Sequence, residues 1–248
     1  MLKNYKLIIA YDGSNYGGWQ VQPNSTSIQE LMQKAIETIV RDTITLIGSG
    51  RTDAGVHAIG QVAHFKIEKE LDLKKFSHSL NGILPIDIRV LHVEQVPLDF
   101  HSQRSAKSKI YHYHIHNHPV QNPFKRHYSL HIRDKIDISL LQQAASLFVG
   151  KHDFTSFANE SHQGCAAKNP VRNILRLDVV QDGDDIRLEF EADGFLYKMV
   201  RNIVGTLLEV IKGRRSLDDI PRLLAARDRT QAGQAAPAHA LFLHKVKY

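Results

Sequence analysis

The chain has a single cysteine, Cys165, among its 248 residues, and a lone thiol excludes an internal disulfide and any paired-thiol metal motif. No apolar run approaches the ~18 residues that would span a bilayer. Near the start, Leu7-Ile8-Ile9 passes straight into Asp12-Gly13-Ser14-Asn15, too short an apolar stretch for a secretory leader. A cytoplasmic protein is expected, with Cys165 a passive loop residue rather than a nucleophile. Other chemistries are missing as well. Neither Gly13-Ser14-Asn15-Tyr16-Gly17-Gly18 nor Gly48-Ser49-Gly50 fits a phosphate-cradling fingerprint, and no His-Glu-x-x-His occurs.

What is present suits a globular protein large enough to bury a core, with 42% hydrophobic and 23% charged residues. The net charge of +6 is uneven, because residues 1–105 hold as many acids as bases and the whole surplus lies in 106–248. Arg104, Lys107, Lys109, Lys125, Arg126, Arg133 and Lys135 stand against the single acid Asp134. Such a stretch is either a solvated face or the footprint of a polyanion.

Periodicity predicts a strand over Tyr5–Tyr11, and a helix over Ile28–Val40 with Ser27 and Glu30 as its capping box. Strands at Ile44–Ile47 and Val62–Ile67, a helix over Leu73–Leu80 ended by Asn81-Gly82, and a strand over Arg89–Val96 follow. The order βαββαβ reads as a ferredoxin-like layer. The second half predicts strands over Ser108–His116 and near His127–His131, and a helix over Ile138–Val149 closed by Gly150. Strands at Ile174–Val180 and Ile186–Glu191 are joined by an Asp182-Gly183 hairpin signal. Helices over Leu196–Ile211 and Leu217–Ala226, the second with Ser216 and Asp219 as its box, and a strand over Leu241–Val246 complete it. The expected fold is α+β, two ferredoxin-like domains with antiparallel sheets, 1–105 and 106–248, meeting at a central active-site cleft.

Within the first half, Gly50-Arg51-Thr52-Asp53-Ala54-Gly55-Val56-His57-Ala58 sets one carboxylate between two glycines, with an arginine two places before it. Lying between two expected strands, the run becomes a loop that holds Asp53 out. Glycines at 50 and 55 permit positive φ and close approach of a bulky partner. Asp and Gly also make ordinary turns, so the run alone leaves both readings open.

Two features of the second half carry similar weight. Tyr111-His112-Tyr113-His114-Ile115-His116-Asn117-His118 alternates, so a strand sets the histidines on one face and Tyr111, Tyr113 and Ile115 on the other. The histidines suit a polar face beside RNA or a zinc site, though no cysteine joins them locally. Tyr111 suits core packing or stacking on an unstacked base. Arg201, amid Phe195, Met199, Ile203 and Val204, needs an anion. Glu209, Asp193 and Asp53 are the candidates.

In order along the chain stand Tyr11-Asp12-Gly13 with Gly18-Trp19-Gln20, then Gly50–Ala58, Tyr111, and His152-Asp153-Phe154-Thr155-Ser156-Phe157. Met199–Gly205 and Asp228-Arg229-Thr230 through Ala236-Pro237-Ala238 follow. With these motifs at family spacing the chain resembles tRNA pseudouridine synthases of the TruA type. It departs at Ala240, where the family usually has glycine, and at Lys168-Asn169, where Arg-Thr is usual before Pro170.

The resemblance implies isomerisation of uridine to pseudouridine in the tRNA anticodon stem-loop, at positions 38 to 40, with no cofactor and no metal. It implies Asp53 as the catalytic nucleophile and Arg51 in the space vacated by a flipped nucleotide. Tyr111 would stack on the base and Arg201 would pair with Asp53. It also implies a homodimer bridged by one tRNA. A non-catalytic RNA-binding module and a His-strand metal hydrolase are the competing classes.

Overall fold

Alternation builds the first sheet. In β1, Lys3–Tyr11, the side chains of Tyr5, Leu7, Ile9 and Tyr11 are buried along one face, as the period of two requires. The computed structural model describes residues 1–159 and 169–248, so Cys165 and Lys168 lie outside the described residues. The chain divides into two compact units, Met1–Lys107 with Phe242–Tyr248, and Ser108–Leu241. The fold is mixed α/β, with ten strands, mostly antiparallel, and five α-helices among the described residues.

In the first unit, α1 (Ile28–Val40) leads to β2 (Ile47–Gly48) and β3 (His57–Ile67), then to α2 (Leu73–Ile83) and β4 (Ile88–Val96). The strands lie in the order β4-β1-β3, with β2 also on β3; β1 is antiparallel to both neighbours. Ser27 caps α1 by accepting from the Glu30 amide, as expected. The C-terminal strand β10, Leu241–Lys247, runs parallel to β3, pairing Phe242 with His57 and Leu243 with Ala58. A sequence division at 105 placed this strand with the second half. Residues 242–248 instead cluster with the first unit.

Three expectations here are corrected. Residues 44–46 are not a strand: the Glu37 carboxylate accepts from the Ile44 amide at 3.2 Å and Gln29 donates to the Leu46 carbonyl at 2.8 Å. Helix α1 thus takes the backbone groups that a ladder would need. β3 begins at His57, five residues earlier than its apolar run implies, which shortens the loop around Asp53. Helix α2 runs through Asn81-Gly82, because the Asn81 amide bonds the Val90 backbone at 2.8 and 2.9 Å rather than ending the helix.

In the second unit β5 (Ser108–Asn117) and the short β6 (Leu130–Ile132) precede α3 (Ile138–Ser146), and β7 (Gly150–Asp153) precedes the hairpin β8 (Val171–Asp182) and β9 (Asp185–Ala192). β9 returns beside β5 in the order β5-β9-β8-β7, as β3 returns beside β1. At the hairpin tip Gly183 takes φ 58°. Strand β7 was not foreseen: its first residue, Gly150, has φ 113° and was read as a helix stop. Helices α4 (Met199–Ile211) and α5 (Asp219–Ala226) close the unit. α4 starts three residues later than periodicity implies, since the Tyr197 carbonyl accepts from the Asn159 amide at 3.0 Å. Before α5, Asp219 accepts from the Ser216 amide at 2.8 Å, so the box forms on the turn ahead of the helix.

Candidate active site

The loop of residues 49–56 joins β2 to β3, and its hold on Asp53 is built from the residues beside it. The Trp19 amide donates to the Thr52 carbonyl at 3.1 Å, and the Thr52 hydroxyl lies 2.8 Å from the buried Tyr11 hydroxyl. Burial pushes the Tyr11 phenol up to about 12, although bonds to Thr52 and Gln61 pull the other way. It therefore stays protonated and available to bond. On the near side Gln61, fully buried, donates to the Gly50 carbonyl at 3.0 Å and accepts from Ser49 Oγ at 2.8 Å. The Asp53 carbonyl accepts from the Val56 amide at 3.1 Å, closing a tight turn.

Glycines matter here differently from the expectation. Gly55 has φ 76°, whereas Gly50 is not in the positive region; its carbonyl is what the fold uses. The close approach comes from Gly18, φ 94°, where a Cβ would stand 2.4 Å from the Thr52 carbonyl oxygen. Arg51 is exposed, Thr52 buried and Asp53 intermediate, so side chains alternate between water and core along this stretch. His57 closes the far end, accepting from the Gly13 amide at 3.0 Å and stacking on Phe242 with centroids 4.6 Å apart.

Tyr111 and Arg201 belong to the second unit. Tyr111 stands opposite Phe190 in the β5–β9 register, and its ring meets Phe195 edge-on with centroids 5.1 Å apart. Tyr113, on the same face, donates to the Pro237 carbonyl at 3.1 Å. The histidines take the other face, as alternation predicts. His112, His114 and His116 oppose Glu189, Arg187 and Asp185, and His116 Nδ1 is 2.9 Å from Asp185. Among the described residues no group of three or more His, Cys, Asp or Glu side chains could hold a metal ion.

In α4, Arg201 Nε donates to the Ala236 carbonyl at 2.7 Å, and the Ala236 amide returns a bond to the Arg201 carbonyl at 2.9 Å. This double contact needs Gly205, where a Cβ would stand 1.7 Å from the Gln234 carbonyl oxygen. The neighbour, buried Asn202, donates to the Phe157 carbonyl at 2.7 Å and to Asn159 at 3.0 Å, and accepts from Arg229 at 2.9 Å. Of the acids considered for Arg201, Glu209 pairs with Arg215 and Asp193 accepts from the Asn173 amide.

Two of the sequence motifs acquire a task from these contacts. Buried Ser156 donates to the Leu223 carbonyl at 2.6 Å and accepts from the Asp228 amide at 2.9 Å. The runs around residues 152–157 and 228–238 thus brace α4 at Arg201. Ala240 is fully buried with no positive φ, so glycine is not required there. Arg51 and Asp53 thus lie in one unit, and Tyr111 and Arg201 in the other. Gln61 was missed in the sequence, although its signal was a polar side chain inside an otherwise buried strand.

A family model for tRNA pseudouridine synthase matches residues 7–103 and 144–248. Arg51, Asp53 and Arg201 fall in the matched segments and Tyr111 in the interval between them. The chain is 56% identical over 98% of its length to tRNA pseudouridine synthase A 1 of Protochlamydia amoebophila, covering 96% of that protein. It is 45% identical to tRNA pseudouridine synthase A of Geotalea uraniireducens and 42% identical to that of Acetivibrio thermocellus, over 100% of each chain. On these matches the chain belongs to the tRNA pseudouridine synthase family, isomerases that convert uridine to pseudouridine in tRNA.

Proposed function

We propose that this chain acts on the tRNA anticodon stem-loop at positions 38 to 40, with Asp53 as nucleophile, Arg201 paired to it, Tyr111 stacked on the target base and Arg51 filling the space the flipped nucleotide leaves. The observation that carries the reading is the grip on Thr52, through its carbonyl and its hydroxyl. A carboxylate that must attack one atom needs its loop fixed, and here the adjacent residue bears that load.

The reaction gains and loses no atoms. The N1–C1′ bond breaks, uracil turns while bound, C5 joins C1′, the C5 proton leaves, and N1 takes up a proton in its place. One carboxylate serves first as nucleophile and then as proton acceptor, and no cofactor is needed. A stacked uridine lies out of reach, so extrusion costs a few kcal/mol, which Arg51 would offset by occupying the gap. The cytoplasm is the compartment in which this substrate is met, and a homodimer sharing one tRNA is the assembly we expect. The two units read as ferredoxin-like layers, the first in the order β4-β1-β3-β2. Tritium release from anticodon stem-loop RNA labelled at uridine C5, with pseudouridine mapped in the product, tests the assignment. Release confined to positions 38 to 40 is expected; modification elsewhere contradicts it.

A further inference from the structure

We propose that Tyr197, capped by Lys198, is a stacking platform for an unpaired nucleobase beside the target uridine, a subsite that rests on assigning Tyr111 to the flipped base. The turn between β9 and α4 presents two aromatic rings. Phe195 turns inward, edge-on to Tyr111 at 5.1 Å. Tyr197 turns outward and is 44% exposed. Their Cα atoms are at most about 7 Å apart, and because the two rings face opposite ways, Tyr197 would meet a nucleotide flanking the target, not the target itself.

The turn that carries the ring is fixed from several directions, which distinguishes it from an incidental surface tyrosine. The Tyr197 carbonyl accepts from the Asn159 amide at 3.0 Å, and the Asn159 side chain accepts from Asn202 at 3.0 Å. Arg229 secures Asn202 in turn. Lys198 adopts the left-handed conformation, φ 60° and ψ 8°, which a non-glycine residue holds only when its surroundings impose it. In that conformation its ammonium lies over the Tyr197 ring, 5.1 Å from the centroid. One face of the ring is thus covered by a cation, and a base would stack on the other. An aromatic face beside a positive charge is the pairing that single-stranded RNA uses, a π-surface for the base and a cation for its phosphate.

The test is steady-state tritium release from anticodon stem-loop RNAs, intact or carrying an abasic residue immediately 5′ or 3′ of the target. With wild type, one of the two abasic RNAs should raise KM about tenfold and leave kcat within twofold. Tyr197→Ala should show that rise on intact RNA and no further rise on the abasic one, with an unchanged thermal midpoint. Tyr197→Phe should match wild type, and Tyr197→Leu, of similar bulk but without a π-face, should match Tyr197→Ala. A wild-type KM for Tyr197→Ala, or an abasic penalty undiminished in that variant, overturns the subsite. If wild type releases no tritium from intact RNA, the functional reading itself fails and the subsite with it.

Discussion

The loop of Asp53 and the helix of Arg201 hold their candidate side chains in the same way with different materials. In each, a neighbour takes the structural load, Thr52 for Asp53 and Asn202 for Arg201. Both also rely on a glycine that admits a carbonyl oxygen where a Cβ would collide: Gly18 for Thr52 and Gly205 for Gln234. The loop is held by a tyrosine hydroxyl, a backbone amide and Gln61, whereas the helix is held by Ala236, two asparagines and Arg229. The difference teaches that the carboxylate loop is fixed by neutral contacts to its neighbours, while the guanidinium is fixed through its own Nε and a brace of amides.

Breaking the helix side should have the larger effect, after loss of Asp53 itself. Gly205→Ala puts a methyl against the Gln234 backbone, so residues 233–237 must shift and the Ala236 contact with Arg201 is lost. A drop of about 100-fold in kcat and a thermal midpoint lower by several degrees are expected, since such overpacking costs about 1–3 kcal/mol. Arg201→Lys keeps the charge but removes the planar Nε contact. Turnover should fall by roughly 30-fold, about 2 kcal/mol, with little change in melting.

On the loop side the effects should be smaller and confined to kcat. Thr52→Val removes the close partner of the buried Tyr11 hydroxyl and leaves it only the long 3.5 Å bond from Gln61, at a cost of about 1–3 kcal/mol. Turnover should drop by about tenfold with KM unchanged, and Thr52→Ser should restore most of it. If Thr52→Val only lowered stability, the comparison would fail, because the loop's hold would then be scaffold and not positioning.

One pH effect belongs to the first unit. Burial, then the charges of His101 and Lys66, lower the pKa of His64 from 6.5 to about 4. Its Nδ1 accepts from the Ser102 amide at 3.2 Å, a bond that needs a neutral ring. Because the folded value is depressed, the unfolded chain binds more protons between pH 6.5 and 4. The contribution is complete above 6.5 and is lost as pH falls toward 4, about 3 kcal/mol in all. Chemical denaturation at pH 7 and pH 4.5 should show it in wild type, and His64→Gln should flatten the difference.

The smallest expected effect is on RNA affinity. Arg133 is exposed, so Arg133→Glu should weaken binding of many tRNAs alike and reduce the salt slope by about one. Lys125 pairs with Asp185. Its reversal should therefore disturb the end of β5 as well as RNA binding, and melting curves will separate the two.

Much of this arrangement could be read before the fold was known, and the exceptions share a cause. Asp53 was legible because a local run of glycines and polar residues announces a loop. Arg201 was legible because charge inside an apolar helix demands explanation. What held them was not legible. Gln61 and Ala236 act through backbone groups brought close by pairing far along the chain, and the early end of the ladder at residue 47 depends on Gln29 and Glu37 of the preceding helix. The parallel pairing of β10 with β3 has no local sequence sign at all.

The central claim is that Asp53 performs the chemistry and that the surrounding contacts only aim it. Single-turnover tritium release by Asp53→Asn, with RNA affinity measured in parallel, addresses it directly. The account predicts affinity near wild type and a rate lower by more than about 10³-fold, since the amide is not a competent nucleophile. A rate within tenfold of wild type at equal affinity would contradict it.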